Sequence, residues 1–330
     1  MLVAGLWLGG LIVAELDVIG FGSLCVDFIF KVKGYPRRGS TNLSSASLVC
    51  CGGIIGNFLV GCSRLGLKCG VIGVVGADHY GGMIIDCLTN AGIDTSMLVI
   101  DSSGSTAKVV CIVDDRGERT FIVDPGVQAS VTLPNGVESY VSKCRVFHTD
   151  CLDVGLAVKL LSHARSNGVT TSVDLGTLAE HMIHGINEKW VYEVLRHCDI
   201  AFISEANAKK VFRGLKPIEV LDKILKCGVK TAVLTLGRRG CIVVDGGEVC
   251  RVRAFKVEVV DTTGAGDAFE AGFLYSIIKG LRPIDAAIVG NAVAALKCKK
   301  LGGQLGLPSI KEVVEFLDSK GLSGIASLIA

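Results

Sequence analysis

Short apolar runs that alternate with stretches of helical periodicity constrain the fold of this chain more than any other feature. The runs lie at residues 17–21, 69–75, 145–148, 169–174, 199–203 and 230–235. They are short enough to be strands, and the apolar residues between them recur with the period of a helix. Because parallel strands need such crossover helices, the pattern predicts an α/β fold with a mostly parallel central sheet.

Two segments break this alternation. Strand-like residues at 28–50 and 106–124 follow one another without a helical stretch inside either segment. We expect the two segments to form a small separate sheet, a short antiparallel flap over the mouth of the main domain. Such a flap is suited to be a lid, because closing it excludes water from a reaction.

The chain shows no internal repeat and no low-complexity linker, so we expect one principal domain over residues 17–330. Residues 1–16 stand apart from that domain. They are strongly apolar, but they carry no basic segment and are too short to span a membrane. We interpret them as an atypical apolar N-terminal extension rather than as a signal peptide.

Charge and cysteine placement limit the classes of partner. The formal net charge is +2, and the basic residues form short, scattered groups instead of the stripe that binds nucleic acid. The 14 cysteines lie in apolar runs without any Cys-x-x-Cys pair. We therefore expect no nucleic-acid or membrane partner, and buried thiols in a reducing cytoplasm rather than disulfides or a zinc site.

The segment DTTGAGD, from Asp261 to Asp267, carries the strongest chemical signal. Gly264, Ala265 and Gly266 are small enough for the chain to turn tightly and direct backbone N–H groups at an anion. A helical pattern follows, and the positive end of its dipole adds to those donors. Asp267 stands beside the place of the anion, where it can accept a proton from an attacking hydroxyl. A glycine-rich turn with an ordinary capping aspartate is the alternative interpretation.

Other phosphate-binding motifs are absent from the sequence. There is no GxxxxGK[ST] motif, which argues against a P-loop enzyme. Gly20 and Gly22 begin a GxGxxG pattern, but Cys25 stands where its last glycine belongs. A dinucleotide-binding dehydrogenase is therefore a weak alternative.

Two motifs of the sequence resemble those of a known family. DTTGAGDAFEAGFL, from Asp261 to Leu274, resembles the C-terminal signature of the ribokinase-like, or PfkB, carbohydrate kinases, and GGIIGN, from Gly52 to Asn57, resembles their GGxxxN motif. The resemblance covers about residues 17–320. It implies the three-layer ribokinase-like fold with a small β-sheet lid, and phosphotransfer from ATP to a hydroxyl of a small sugar or sugar-like substrate.

The resemblance also implies a role for each matching residue. Asp267 matches the catalytic base, and the amides of Gly264, Ala265 and Gly266 match the anion hole. The positions that bind substrate hydroxyls are matched by Asp27, Gly53 and Asn57. Carboxylate and amide groups suit that role because they pair with hydroxyl donors.

Further matching residues concern the nucleotide and the ions. Thr235, Gly237 and Asn291 match positions that line the nucleotide. Asp261 and Thr263 match a loop that often holds a monovalent cation in relatives, which makes K⁺ a candidate here. ATP and Mg²⁺ are the cofactors that the resemblance implies.

The chain departs from the family pattern at several positions. Where the family frequently carries an Asn-x-x-Glu element tied to magnesium and phosphate, this sequence has Ser204 and Asn207, with Glu205 adjacent to the first. Ile54 and Cys25 replace a lysine and an asparagine of ribokinases proper. The first departure weakens the case for ordinary magnesium dependence, and the others argue against ribose as the substrate.

Three functional readings therefore stay open. The leading one is a sugar kinase, the second is a nucleoside or phosphosugar kinase of the same fold, and the third is a catalytically silent sugar-binding relative. A phosphosugar would call for basic residues near the lid, where Arg37, Arg38 and Arg119 lie in sequence. Exposed lid edges also make a homodimer through the lid an expectation.

Overall fold

The structure is a computed structural model that describes residues 14–183 and 187–330. Residues 1–13 of the predicted N-terminal extension therefore lie outside the described residues. The first strand begins at Leu16, next to the predicted start at Asp17.

In the part of the chain that the structure describes, nine strands form the central sheet. Numbered along the whole chain, they are β1 (Leu16–Phe21), β4 (Cys69–Gly76), β5 (Asp94–Asp101), β8 (Cys144–Thr149), β9 (Thr170–Asp174), β10 (Ile200–Ser204), β11 (Thr231–Thr235), β12 (Cys241–Asp245) and β13 (Glu248–Val252). Their order across the sheet is β13-β12-β11-β10-β9-β8-β1-β4-β5. Neighbours from β5 to β11 are parallel, and β12 and β13 add an antiparallel hairpin. The predicted, mostly parallel sheet is confirmed.

Helices cover both faces of this sheet. They are α1 (Ile54–Arg64), α2 (His79–Asn90), α3 (Val137–Val141), α4 (Val154–Ser166), α5 (Gly176–Ile183), α6 (Lys189–Arg196), α7 (Glu205–Val211), α8 (Pro217–Leu225), α9 (Ala265–Ile278), α10 (Pro283–Lys297), α11 (Ile310–Ser319) and α12 (Ser323–Ile329). Among the helices in the described residues, none is both long and apolar enough to cross a bilayer.

Two apolar cores lie on the two sides of the sheet, because successive side chains of a strand point to opposite faces. On β1, Val18 belongs to the core under α1, α2 and α9 to α12, whereas Ile19 belongs to the core under α3 to α8. Val146 and Phe147 divide in the same way on β8. The three-layer architecture is thus confirmed.

The order of the strands reverses at β1, which pairs with β4 on one side and β8 on the other. Ligands bind outside the carboxyl ends of parallel strands at such a reversal. The chain continues there into Ser23 and Asp150, and the Ser23 amide and hydroxyl both donate to Asp150 Oδ2, the amide at 3.1 Å. These hydrogen bonds therefore join the segments that follow β1 and β8, at the place where the strand order reverses.

A small sheet lies apart from the central one. Its strands are β2 (Cys25–Lys31), β3 (Ala46–Gly52), β6 (Lys108–Val113) and β7 (Arg119–Asp124), in the order β3-β2-β6-β7. The small sheet is as predicted, but the purely antiparallel pairing is wrong because β2 and β6 are parallel. Each follows a strand of the parallel central sheet, β1 or β5, so both leave the same edge in the same direction.

The two faces of the small sheet differ in exposure. Ile29 and Cys111 are paired on one face and fully buried. On the opposite face Phe30, Val49 and Ile122 are exposed. These are the residues that a homodimer through the small sheet would cover, and that dimer stays a prediction.

Close packing of α9 against α10 positions the start of α9. The two helices approach so closely at Gly290 that a Cβ there would lie 2.8 Å from the carbonyl oxygen of Phe269. Such a contact needs a backbone shift, and overpacking of this kind usually destabilises a protein. In contrast, a Cβ on Gly82 in α2 would meet no atom within 4 Å.

We predict opposite effects for alanine at these two helical glycines. Gly290→Ala should lower the free energy of unfolding by about 1–3 kcal/mol, although alanine is the better helix former. Gly82→Ala should leave it unchanged or raise it by up to about 1 kcal/mol. Urea unfolding followed by circular dichroism measures both. Equal stability of the two variants would contradict the packing described for α9 and α10.

Candidate active site

The start of α9 is built for close approach of a ligand. Gly264 has φ +76°, and a Cβ on it would lie 3.0 Å from the Cα and carbonyl oxygen of Gly303. A side chain would therefore be strained here for two independent reasons. Gly266 is exposed, and a Cβ on it would meet nothing within 4 Å. The helix thus begins at a tight turn that opens onto free space.

Backbone donors face this space, although not all of the predicted ones are free. The amide of Ala265 donates to the carbonyl of Thr262 at 3.1 Å, so it is already engaged. Within residues 14–183 and 187–330, no backbone acceptor pairs with the amides of Gly266 and Asp267. These two N–H groups, together with the helix dipole, suit a negative charge and form the candidate anion site.

Asp267 lies buried in the first turn of α9 and accepts a hydrogen bond from Asn57 Nδ2 at 2.7 Å. Burial raises the pKa of its carboxyl group to about 6, although the Asn57 amide and the charges of Arg119 and Lys297 oppose that shift. At pH 7 the group is therefore mainly ionised and ready to accept a proton. The backbone amide of Asp267 is itself one of the two free amides, so its carboxylate lies close to that donor.

Asn57 owes its position to the glycine before α1. Gly53 has φ +88°, and a Cβ there would lie 2.3 Å from the carbonyl oxygen of Ser23. Asn57 is buried one turn later, beside Gly303, where a Cβ would come within 2.6 Å of Asn57 Oδ1. That oxygen has no hydrogen-bond partner among the described residues. It is an acceptor that a ligand hydroxyl would satisfy.

Asp27 lies on β2, in the face of the small sheet that carries the buried Ile29. A Cβ on Gly52 would lie 2.2 Å from Asp27 Oδ2, so the carboxylate occupies the space that a side chain there would need. The carboxylate also accepts a hydrogen bond from the Cys25 thiol at 3.2 Å. Burial raises its pKa to about 6, with the Cys25 hydrogen bond opposing. The pKa of the Cys25 thiol is itself raised by burial and by the nearby charges of Asp27 and Asp267. The predicted substrate residues therefore converge on one buried region.

The predicted nucleotide residues lie along the carboxyl edge of β10 and β11. Ser204 and Thr235 end these strands and are paired with each other, and the exposed Gly237 follows with φ +55°. Ser204 caps α7, because its hydroxyl accepts the amide of Asn207 at 3.2 Å. Asn291 is placed differently: it is buried in α10, and its amide donates to the carbonyl of Arg253 at 3.4 Å.

Mg²⁺ is usually held by one or two carboxylates and the substrate phosphates. Glu205, next to Ser204, is paired with Arg239 at 2.6 Å. Asp174 at the end of β9 lies beside Asn207, since a Cβ on Gly176 would be 3.1 Å from Asp174 Oδ2 and 3.3 Å from Asn207 Nδ2. In the part of the chain that the structure describes, no cluster of three or more His, Cys, Asp or Glu side chains forms a metal site. Asp174 is the carboxylate that fits a magnesium ion held mainly by phosphates.

A monovalent cation does not fit the residues that the sequence predicted for it. Asp261 Oδ1 accepts both the amide and the hydroxyl of Thr263, at 2.8 and 2.7 Å. Asp261 Oδ2 accepts the amide of Gly302 at 2.8 Å, and the Asp261 carbonyl accepts Lys297 Nζ at 3.1 Å. The carboxylate and carbonyl oxygens of Asp261 that a K⁺ ion would need are thus already used by donors of the chain.

Sequence reasoning missed a buried polar pair beneath Asp267. His148 Nε2 lies 3.3 Å from Glu270 Oε2, and both side chains are buried in an apolar surrounding. Burial lowers the pKa of His148 to about 4 and raises the pKa of Glu270 well above its usual range. His148 is therefore uncharged at neutral pH, and burial favours the protonated form of Glu270. The available signal was an acidic residue one turn after Asp267 in an otherwise apolar helix.

Two basic residues lie near the loop, and the sequence named only the first of them, as a lid candidate for binding a phosphosugar. Arg119 reaches from β7 to donate to Thr262 Oγ1 at 2.6 Å. Lys297 ends α10 and is completely buried. A lysine at the end of the apolar run IVGNAVAALK was the signal for the second, since such a residue must either reach water or find a buried partner.

The parallel sheet, the small sheet beside its edge and the glycine turn at the start of α9 define a small-molecule kinase of the ribokinase-like fold. The sequence model of the pfkB family carbohydrate kinases matches residues 16–310. The chain therefore belongs to this family and is a sugar kinase, as the resemblance implied.

Individual relatives agree with this membership. The chain is 29% identical over 250 residues to a protein of Archaeoglobus fulgidus named as an uncharacterized sugar kinase, covering 76% of this chain and 98% of the relative. It is 26% identical to a fructokinase-1 of Zea mays, covering 91% and 97% of the two chains. The crystal structure of a ribokinase from Thermotoga maritima matches with a TM-score of 0.77 at 27% identity, covering 92% and 99%.

We predict that the charge of Asp27 destabilises the folded protein at neutral pH. Burial raises the pKa of this group from 3.8 to about 6. Relative to Asp27→Asn, the wild-type protein should lose stability as the pH rises from about 4 to about 6 and then stay level, a change of the order of 2–3 kcal/mol. Urea unfolding of both proteins between pH 4 and 8 measures the difference.

Asp101→Asn serves as a control of opposite sign. Asp101 is partly exposed at the end of β5, and its bond from the Ser103 amide lowers its pKa. Relative to this variant the wild-type protein should lose stability as the pH falls. A pH-independent difference between wild type and Asp27→Asn would contradict the buried, ionisable state described for Asp27.

Proposed function

We propose that this protein transfers the γ-phosphoryl group of ATP to a hydroxyl of a small sugar, with Asp267 as the catalytic base. One observation carries the proposal: a buried, ionisable carboxylate lies at the start of α9, beside the free amides of Gly266 and Asp267. The amides supply positive potential for the charge of the transferred group, and the carboxylate supplies the proton acceptor.

The proposed proton transfer follows from these positions. The acceptor hydroxyl gives its proton to the Asp267 carboxylate while its oxygen bonds to the γ-phosphorus. The bond from that phosphorus to the β,γ-bridging oxygen breaks, and ADP leaves with the bond electrons. Asn57, which donates to Asp267 Oδ2 at 2.7 Å, fixes the orientation of the carboxylate.

Asp27 and Asn57 support a sugar as the acceptor. The unpartnered Asn57 Oδ1 and the buried Asp27 carboxylate both accept hydrogen bonds, which suits neighbouring hydroxyl groups. A ribokinase of Arabidopsis thaliana that shares this fold, with a TM-score of 0.78 at 20% identity, was solved with ribose and ATP. The replacement of ribose-specific positions by Ile54 and Cys25 nevertheless favours another sugar for this chain.

For the nucleotide we propose the edge formed by Ser204, Thr235 and the exposed Gly237. Asn291 lies below this edge and stabilises it, since its side-chain amide donates a hydrogen bond to the Arg253 carbonyl. Asp174 and Asn207 would face the Mg²⁺ ion, which shields the phosphate charge when it is bound. Burial and the charges of Glu270 and Asp267 raise the pKa of Asp174, so a cation beside it would favour its ionised form.

A phosphosugar is the second candidate for the acceptor. Arg119 Nη1 lies 2.6 Å from Thr262 Oγ1, next to the loop that precedes the anion site. A relative named as an ATP-dependent 6-phosphofructokinase, from Thermoanaerobacterium thermosaccharolyticum, is 26% identical over 316 residues. An arginine at this position would bind a second phosphate group on the acceptor.

The cysteines support a reducing compartment such as the cytoplasm. All 14 are free, and nine of them are buried. Buried thiols of this kind act as small apolar residues, and an oxidising compartment would favour disulfides instead.

We predict ADP release with free sugars in a panel of acceptors that contains fructose, ribose, fructose 6-phosphate and adenosine. The coupled assay contains ATP and is run with and without Mg²⁺. Turnover with fructose 6-phosphate alone would favour the second candidate, and turnover with adenosine alone would favour a nucleoside kinase. Saturable sugar binding without turnover would favour a silent sugar-binding protein and contradict the proposal.

We predict that Asp267→Asn lowers kcat by about 10²- to 10⁴-fold because the proton acceptor is lost. Asparagine has nearly the same shape and can still accept the Asn57 amide, so the dissociation constant of ATP should change by less than about threefold. Steady-state kinetics and calorimetric titration of ATP measure the two quantities.

Asp86→Asn is the matched control, because this carboxylate is exposed on α2. Its kcat should equal that of the wild-type protein. If Asp267→Asn keeps the wild-type kcat, Asp267 is not the base and the proposed mechanism is wrong.

A further inference from the structure

A completely buried lysine lies directly behind the anion site. Lys297 is the last residue of α10, and its Nζ donates to the carbonyl oxygen of Asp261 at 3.1 Å. The same Nζ lies 4.0 Å from Asp261 Oδ2. A buried ammonium group is unfavourable unless an opposite charge and acceptors compensate it, and Asp261 offers both.

The remaining acceptor positions of Asp261 are used by the loops on either side. Thr263 donates its amide and hydroxyl to Oδ1, and Gly302 donates its amide to Oδ2. The amides of Val260 and Asp261 in turn donate to the carbonyl of Cys298, at 2.8 and 3.2 Å. The end of α10 and the segment before α9 are therefore joined through one buried ion pair and its hydrogen bonds.

The charge of Lys297 also acts on the carboxylates of the site. It opposes the rise that burial causes in the pKa of Asp27 and of Asp267. Burial also raises the pKa of Asp261, but Lys297 and the hydrogen bonds from Thr263 and Gly302 more than offset it and leave the pKa below its usual value. One fixed cation thus stabilises three neighbouring acidic groups.

We propose that the Lys297 ammonium group is a built-in monovalent cation for the loop from Asp261 to Gly264, so that this protein needs no bound K⁺ to form its anion site. The ammonium donates to the Asp261 carbonyl and faces the Asp261 carboxylate at 4.0 Å, which are oxygens that an alkali ion would have used. Lys297 is in this sense a positioning residue: it fixes the Asp261 carbonyl, next to the Thr262 carbonyl that accepts the Ala265 amide in the turn before α9. Its effect on turnover rests on the proposed function, whereas its effect on the loop does not.

The wild-type protein is tested first, in KCl, NaCl and choline chloride at equal ionic strength. The thermal unfolding midpoint Tm and the kcat with the accepted sugar should be the same in all three salts. A Tm that is several degrees higher in KCl than in choline chloride, or a kcat that rises tenfold or more with K⁺, would overturn the proposal.

Two substitutions then separate charge from volume. Lys297→Ala removes the ammonium group and leaves space, and Lys297→Met keeps most of the volume without the charge. In choline chloride both should lower Tm by roughly 5 °C or more, because the Asp261 carboxylate stays buried without the opposite charge of Lys297. Lys299→Ala is the matched control, since that lysine is exposed on the same segment and should keep the wild-type Tm.

The decisive result is a new response to K⁺. As KCl replaces choline chloride, Lys297→Ala should regain the wild-type Tm and kcat, with a larger change in kcat than in KM. Lys297→Met should regain neither Tm nor kcat. Equal behaviour of Lys297→Ala in the two salts, or a wild-type Tm for Lys297→Met, would overturn the role as a cation. If neither variant folds, the comparison of salts on the wild-type protein still decides.

The unfolding measurements need no sugar. A protein without kinase activity on any acceptor would therefore contradict the proposed function, while the salt dependence of Tm would still confirm or overturn the role of Lys297.

Discussion

The hydrogen bond from Asn57 to Asp267 joins α1 to α9, and the rest of the site is arranged around it. It fixes one oxygen of a carboxylate that burial would otherwise disfavour in its charged form. Gly53 allows α1 to begin where Asn57 can make this bond, and Gly303 leaves room for it. A buried charge is destabilising, so its retention beside free amides indicates chemistry rather than stability.

The polar groups below this bond illustrate how the core tolerates acidic residues. His148 and Glu270 face each other at 3.3 Å, and burial lowers the pKa of His148 and raises that of Glu270, so it favours the uncharged form of each. The ionised carboxylates are instead held where opposite charge is present, as with Asp261 and Lys297. A cation close to a buried carboxylate therefore favours its ionised form, whereas burial without a cation favours the protonated form.

The architecture and the glycine turn at the start of α9 were largely predictable, because local patterns determine them. The apolar runs determine the parallel strands, and DTTGAGD determines a turn that only glycine permits at position 264. Contacts between distant segments were not predictable. The parallel pairing of β2 with β6 depends on where both strands leave the central sheet, and the approach of Lys297 to Asp261 depends on how α10 packs. Neither leaves a periodic or spacing signal in the sequence.

The links between the two sheets have a consequence for selectivity. Gly22, Ser23 and Leu24 alone separate β1 from β2, and Gly53 alone separates β3 from α1. Rotation of the small sheet about these links would carry Asp27 along but leave Asn57 behind on its helix. The distance between Asp27 and Asn57, the two groups proposed to bind the acceptor, is thus set by the angle between the two sheets. An acceptor whose hydroxyl groups have the wrong spacing would hold the small sheet away from the central sheet instead of drawing the two together.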